Sequence, residues 1–357
     1  MSARSRDASA TAPTRVAVRL RARWRDRPGA GLRAAAALYG LGHDLRDFLY
    51  DAGVLPARRA PVPVISVGGL TAGGSGKTPI AAEVARWLRE AAWRPALVTA
   101  GLADEMDVLD LLAPGVPVEG GRDRRAATRR AAGGGADVAV LDSGFQHRGL
   151  ARALDLVCVD RTSWSLPGRH RLPAGPFRER AGALARADAV VLVERGKPGT
   201  AAAHEVRAAV RRRAPGGRLA ICRLQPVGFR AANERATSMP PGPRSVVAAG
   251  VMWPEGLFEA ARALGLTAEA ELAFADHEAF GPARLAELVE AGAAGGVVCS
   301  LKDAVKLGPL LADRLAVWYV EERPVWVRGG DALRRAVLRR AAGAAGRPPS
   351  IARAERR

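Results

Sequence analysis

The stretch from Pro63 to Ile80, PVISVGGLTAGGSGKTPI, constrains this chain more than any other, because it reads as a strand, a glycine-rich turn and a helix start in direct succession. Pro63 to Val67 is a short β-branched run bounded by proline and glycine, the pattern of a buried parallel strand. In the turn, Thr71, Ala72, Gly73, Gly74, Ser75 and Gly76 supply backbone N–H groups that can curl around an anion at a helix N-terminus. Lys77 adds a point charge for β- and γ-phosphates, and the Thr78 hydroxyl suits Mg²⁺. This is a P-loop with one departure, since Thr71 stands at the first glycine of G-x-x-x-x-G-K-[ST]. A bound nucleoside triphosphate is the expectation.

The chain has 357 residues, enough for one large or two ordinary domains. A formal charge of +19 allows an anionic partner such as a phosphorylated substrate, an acidic membrane surface or nucleic acid. Lys77, Lys197, Lys302 and Lys306 are the only lysines, so the charge is nearly all arginine. No interleaved aromatics or known module accompany it, which argues against nucleic acid. Cys158, Cys222 and Cys299 sit singly in apolar runs and read as core residues of a reduced cytosolic protein. No secretory signal opens the sequence, and no window reaches 18 apolar residues, so no membrane span is expected. Nothing points to an obligate protein partner.

Residues 1–13 read as disordered. Residues 14–60 form a helical region: arginines alternate with Val16, Val18 and Leu20, and Leu38, Leu41, Leu45, Phe48 and Leu49 then recur at helical spacing. The periodicity leaves two readings open, a helix in a membrane interface or a helix packed on the nucleotide domain. Residues 61–225 alternate strands and helices. The strands are Pro95 to Thr99, Asp137 to Asp142, Leu156 to Asp160 and Ala189 to Val193, with a basic helix from Arg122 to Ala132. DVAVLD has the form of a Walker B strand whose terminal Asp142 reaches Mg²⁺. A Pro/Gly-rich linker at Met239 to Arg244 precedes renewed alternation, with strands at Val246 to Ala249, Glu271 to Phe274, Gly296 to Ser300 and Val317 to Val320. The expectation is an α/β, P-loop NTPase-like, doubly wound, mostly parallel sheet, with a smaller α/β domain at 226–341, a substrate cleft between the two and a basic tail at 342–357.

Phosphoryl transfer also needs a base near the incoming hydroxyl. Pattern alone offers Asp104-Glu105, Gln146-His147 and Asp276-His277-Glu278, and does not choose among them.

Together these motifs resemble the tetraacyldisaccharide 4'-kinase family, whose members phosphorylate the lipid A precursor on the cytosolic face of the bacterial inner membrane. The P-loop stretch is similar to the family's VPVIVVGNLTVGGTGKTP, including the threonine in place of glycine. LDSGFQH at 141–147 is similar to DDGxQH, LPAGPFRE at 172–179 to LPAGPLRE, GVMWPEGLF at 250–258 to GIGNPxxFF, ADH at 275–277 to DHH, and LKDAVKL at 301–307 to TeKDAVKL.

The resemblance implies transfer of the γ-phosphate of ATP, with Mg²⁺, to the 4'-hydroxyl of tetraacyldisaccharide 1-phosphate. By position it implies Asp104 as the base, His277 assisting it, Lys77 on the phosphates, and Thr78 with Asp142 on the metal. Glu105, Arg124, Gln146, His147, Arg178 and Glu179 would line the site. It also favours a helix at 14–60 that docks peripherally on the inner membrane, where the acylated substrate resides. Four departures stand out: Ser143 for the second acid of DDGxQH, a missing SRGYG segment after the second strand, Ala103 for the glycine of Gly-Asp-Glu, and Glu278 for the second histidine of DHH. They keep open a P-loop kinase for another hydroxylated substrate, or a nucleotide-binding protein with weak or lost kinase activity.

Overall fold

The computed structural model describes residues 24, 28–195, 201–214, 218–236, 240–276 and 278–346. The expectations for residues 1–13, for 15–23, for His277 and for the tail beyond 346 lie outside the described residues.

Two compact units emerge. The larger comprises Gly29–Gln225 and the chain from Arg323 onward, and Pro226–Glu322 forms the body of the smaller. In the larger unit, helix α1 (Ala30–Asp51) precedes strands β1 (Val64–Gly69), β2 (Pro95–Thr99), β3 (Val118–Gly120), β4 (Val138–Asp142), β5 (Leu154–Asp160) and β6 (Ala189–Glu194). The long strand β7 (Leu219–Ala231) begins here and leads out of the unit. The order β3-β2-β4-β1-β5-β6-β7 is parallel throughout. Every residue of β1, β2, β4, β5 and β6 is buried. Such strands read as continuous apolar runs because helices cover both faces of the sheet. β1 lies between β4 and β5, so the chain order reverses at its carboxyl end, where open α/β sheets hold ligands.

Helix α2 (Lys77–Glu90) covers one face with Ile80, Val84 and Leu88 against Ile65, Val67 and Val140. Helices α3 (Ala103–Leu112) and α4 (Arg124–Gly133) follow β2 and β3. Beyond the short turn α5 (Arg161–Trp164), α6 (Ala201–Arg211) packs Val206 and Val210 with Val190 and Leu192 on the other face.

The smaller unit contains β8 (Val246–Ala249), β9 (Ala270–Ala273), β10 (Val297–Cys299) and the first part of β11 (Val317–Arg328), in the order β11-β10-β8-β9 and all parallel. Helices α7 (Pro254–Ala263), α8 (Pro282–Gly292) and α9 (Leu301–Leu310) alternate with them.

Two segments depart from the expected boundaries. β3 was not anticipated, because three half-buried residues carry no periodic signal. β11 continues to Arg328, eight residues past the expected end, and returns the chain to the larger unit. There α10 (Gly330–Ala345) packs Leu333, Val337, Ala341 and Ala342 into the β1 core. The compact smaller body therefore ends at Glu322 rather than 341, and residues 342–345 are helix rather than tail. The three cysteines are buried free thiols, as their apolar surroundings required.

Candidate active site

The turn after β1 takes its shape from two left-handed glycines, Gly74 at φ +68° and Gly76 at φ +71°. Gly76 is the residue before α2, and a Cβ there would lie 2.9 Å from Val193 Cγ1. Only glycine combines that backbone with that approach. Lys77 Nζ donates to Ser75 Oγ at 2.9 Å, which folds the lysine back along the loop.

Thr71, the residue in place of glycine, has a structural counterpart. Its backbone forms an antiparallel bridge with Phe177, the Ala72 N–H donates to Pro176 O at 2.9 Å, and the Arg178 N–H donates to Leu70 O at 2.7 Å. The LPAGPFRE segment is thus laced onto the outside of the P-loop, where an extended threonine suits a strand-like pairing.

At the end of β4, Asp142 is buried. Its Oδ2 accepts from Thr78 Oγ1 at 2.8 Å and its Oδ1 from Ser143 Oγ at 3.2 Å. Two hard oxygen donors from distant parts of the sequence therefore converge beside the P-loop. Ser143 is left-handed at φ +60°, which turns the chain sharply into Gly144. A Cβ on Gly68 would lie 2.3 Å from Phe145 Cβ, so the paired glycines at the end of β1 let this turn close on the strand.

Beside β4, three residues link β2 to α3, and Thr99 Oγ1 donates to Glu105 Oε2 at 2.7 Å. Asp104 sits half-buried in the first turn of α3, its Oδ1 accepting from the Glu105 N–H at 3.1 Å. Arg124 is buried and donates to Gly121 O at 2.5 Å. Burial pulls its guanidinium pKa down, while the charges of Glu105 and Asp142 oppose that pull. Gln146 Nε2 donates to Gly69 O at 3.0 Å and to Glu179 Oε1 at 2.9 Å. His147 keeps an exposed edge, yet the partial burial of its ring and the field of Arg124, Arg46, Arg152 and Arg178 push the imidazole down to about 4. It is neutral at pH 7.

The larger unit thus brings Lys77, Thr78, Asp142, Glu105, Arg124, Gln146, His147, Arg178 and Glu179 to the carboxyl ends of β1, β2 and β4 or onto the segment laced to the P-loop. Sequence reasoning missed Arg195, which follows β6 and donates to Gly74 O at 3.0 Å. It also missed Arg186, which reaches Glu179 at 2.6 Å and Asp47 of α1 at 2.8 Å.

Arg186 introduces the inverted polarity of α1. Asp44 accepts from Arg171 at 2.9 Å and pairs with Arg180, Asp47 meets Arg186, and Asp51 meets Arg148 at 2.5 Å. Gly40 lets Arg171 lie against the helix, since a Cβ there would overlap its guanidinium. The polar side is therefore the docked one, and Leu38, Leu41, Leu45 and Phe48 point outward at 55–74% exposure. The spacing of Asp44, Asp47 and Asp51 opposite the leucines was the available signal.

A glycine-built phosphate cradle at the switch point of a parallel sheet, with a lysine, a threonine and a buried aspartate, defines a P-loop NTPase-type α/β protein. Comparison with known proteins narrows the class. The family model for Tetraacyldisaccharide-1-P 4'-kinase (LpxK) matches residues 29–112 and 100–342, and the chain belongs to that family. The tetraacyldisaccharide 4'-kinase of Anaeromyxobacter dehalogenans strain 2CP-C is 36% identical over 88% of this chain and 93% of its own length. That of Anaeromyxobacter sp. strain K is 38% identical over 93% and 97%. The crystal structure of LpxK from Aquifex aeolicus, an "apo" form in complex with ATP, is 23% identical, superposes with a TM-score of 0.64, and covers 86% of this chain and 97% of that one.

Proposed function

We propose that the protein transfers the γ-phosphate of ATP to the 4'-hydroxyl of tetraacyldisaccharide 1-phosphate in lipid A biosynthesis, using the site at the carboxyl end of β1. The observation that carries this reading is the Thr78–Asp142 pair beside the P-loop of a chain in this kinase family. In this reading the N–H groups from Gly73 to Thr78 and the Lys77 ammonium hold the triphosphate, Thr71 and Ala72 anchor the loop to the LPAGPFRE segment, and Arg124 and Arg178 meet the triphosphate's charge. Thr78 and Asp142 are oxygen donors that suit Mg²⁺, which when bound neutralises charge on the phosphates. Their 2.8 Å separation supports shared ligation, and Ser143 adds a hydroxyl where relatives of this family type are expected to carry an acid.

Asp104 takes the proton of the 4'-hydroxyl as its oxygen bonds to the γ-phosphorus, the bond to the β-phosphate oxygen breaks, and ADP leaves. Glu105, held by Thr99, fixes the first turn of α3 that carries Asp104. His277, which lies outside the described residues, assists by analogy of position alone. Gln146 and Glu179 tie Gly69 to the LPAGPFRE segment and so hold the P-loop in shape. Residues 61–225, with the chain from Arg323 onward, act as the kinase domain, and 226–322 as the body that carries the ADH segment.

No described helix is long and apolar enough to cross a membrane. The outward Leu38, Leu41, Leu45 and Phe48 support peripheral docking of α1 on the cytoplasmic face of the inner membrane, where an acylated acceptor would be met.

The test is γ-labelled ATP and Mg²⁺ with tetraacyldisaccharide 1-phosphate in detergent micelles. Label is expected in the lipid with the unaltered chain and absent with Lys77→Ala. Nucleotide binding without labelled lipid refutes the acceptor, and the three-residue β2–α3 connection would then direct the search to a smaller hydroxylated acceptor.

A further inference from the structure

The glycines that let the P-loop curl also free it to turn the wrong way. Gly74 at φ +68° and Gly76 at φ +71° have no Cβ to resist rotation, so the Gly74–Ser75 peptide plane can present either its N–H or its carbonyl to a phosphate. The two choices differ in sign, because a trans peptide points its N–H and its C=O in opposite directions. An N–H turned inward attracts a phosphate oxygen, and a carbonyl turned inward repels it. Among the described residues, no backbone carbonyl accepts from the N–H groups of Gly74, Ser75 or Gly76, so no backbone ladder sets this plane.

A side chain from another strand does. Arg195 follows β6, which β5 separates from β1, and its Nη1 donates to Gly74 O at 3.0 Å. The carbonyl is drawn toward the end of β6, which leaves the Ser75 N–H pointing the other way. Arg195 is half-buried, where a charge-assisted bond to a carbonyl is stronger than in open water.

The end of β6 is built to hold Arg195 there. Arg161 Nη2, across the end of β5, donates to Arg195 O at 2.9 Å. The buried Glu194 is gripped by both arms of Arg207 on α6, at 2.8 and 2.7 Å. Val193 lies under Gly76, the other left-handed residue of the loop. Ser75 itself is buried, and Lys77 Nζ donates to its hydroxyl at 2.9 Å, so the residue is held from the α2 side as well.

We infer that Arg195 is a positioning residue for the nucleotide: it pins Gly74 O away from the phosphates and thereby aims the Ser75 N–H at them. This rests on the nucleotide site named under Proposed function.

The test compares the full chain with Arg195→Met, which removes the donor and keeps the side-chain bulk, and with Arg195→Lys, which restores a donor. The Kd for ADP, the KM for ATP, kcat and the acceptor KM in micelles are measured, and the Ser75 amide proton is followed by NMR. With the unaltered chain, ADP should move that proton downfield. Arg195→Met should abolish most of the movement and raise the Kd for ADP and the KM for ATP about tenfold, the loss of a hydrogen bond from a charged group. Its kcat and acceptor KM should stay within about twofold, because a loop contact made alike before and during transfer is uniform binding. Arg195→Lys should recover a large part of both effects.

Unchanged nucleotide constants in Arg195→Met overturn the inference. Weaker nucleotide binding with the Ser75 movement intact also overturns it, since Arg195 would then touch the nucleotide itself. So does a fall in thermal midpoint with kcat and both KM values moving together, which would make Arg195 a support of β6 alone. Arg195-dependent ADP binding with the Ser75 movement, in a chain that labels no acceptor, keeps the inference and refutes the kinase reading.

Discussion

Replacing Arg186 by glutamine is expected to destabilise the larger unit by about 3 kcal/mol. Glu179 is only 3% exposed, and its carboxylate is held by Arg186 at 2.6 Å and by Gln146 at 2.9 Å. Removing the guanidinium leaves the buried Glu179 charge with the neutral Gln146 and the neighbouring Asp47 carboxyl, and breaking a buried pair in this way costs about 3–5 kcal/mol. Arg186 retains 22% exposure, so the lower end applies. Its position 4.7 Å from the Phe145 ring adds about 0.5 kcal/mol.

The cost comes from the stranded charge, so it should be largely reversed when Glu179→Gln is added. The coupling between the two sites should then be about 2 kcal/mol. Urea unfolding monitored at constant m reads this directly as shifts in midpoint. Additive single and double variants, or a cost for Arg186→Gln below about 1 kcal/mol, would refute the reasoning. Amide exchange in α1 should rise with Arg186→Gln, because Asp47 loses the same partner.

Three further outcomes are expected. Asp44 and Asp47 are held below the ordinary carboxylate range: burial pushes each up, but Arg180 and Arg171 for Asp44, and Arg186 for Asp47, outweigh it. A depressed carboxylate contributes stability above its unfolded pKa, so α1 docking should persist at neutral pH and loosen as pH falls below about 4, read by protease cleavage after α1, with Asp47→Asn removing part of the dependence. For His147, titration followed by NMR without nucleotide should show a neutral ring from pH 8 to below 6; a depressed histidine contributes stability above 6.5 that is lost as pH falls toward 4, and a midpoint near 6.5 would refute the partial burial and the arginine field that depress it. Leu41→Glu and Phe48→Glu should change thermal stability in detergent-free buffer by less than about 0.5 kcal/mol while reducing vesicle binding, and strong destabilisation would show that these side chains are core rather than outward.

The P-loop, the strands ending at Thr99, Asp142 and Ala249, and the alternation of strands and helices were legible because buried parallel strands are written as unbroken apolar runs punctuated by glycine and proline. β3 was not, since its three half-buried residues have no period. The full length of β11 was not either, because Glu321, Glu322, Arg323 and Pro324 interrupt the apolar pattern while the backbone remains strand. For α1, the apolar stripe was visible, but periodicity alone could not tell whether that stripe faced in or out. The convergence of Thr78 with Asp142, 64 positions apart, had a motif on each side to point to it. In the Asp47–Arg186–Glu179–Gln146 chain, Gln146 and Glu179 stood in motifs and Asp47 on a helical spacing, but Arg186, which joins them, had no pattern to mark it.

What the sequence by itself determined is local: where the backbone must curl, where it must extend, and which residue types stand ready for phosphate, because glycine, β-branched and charged residues act on their own few bonds. Which guanidinium meets which carboxylate was decided only by the tertiary structure. Ion pairs are formed by side chains brought within about 4 Å by the packing of other parts of the chain, and one arginine among dozens carries no mark of its partner. The same packing turned the acidic side of α1 inward and left its leucines outside.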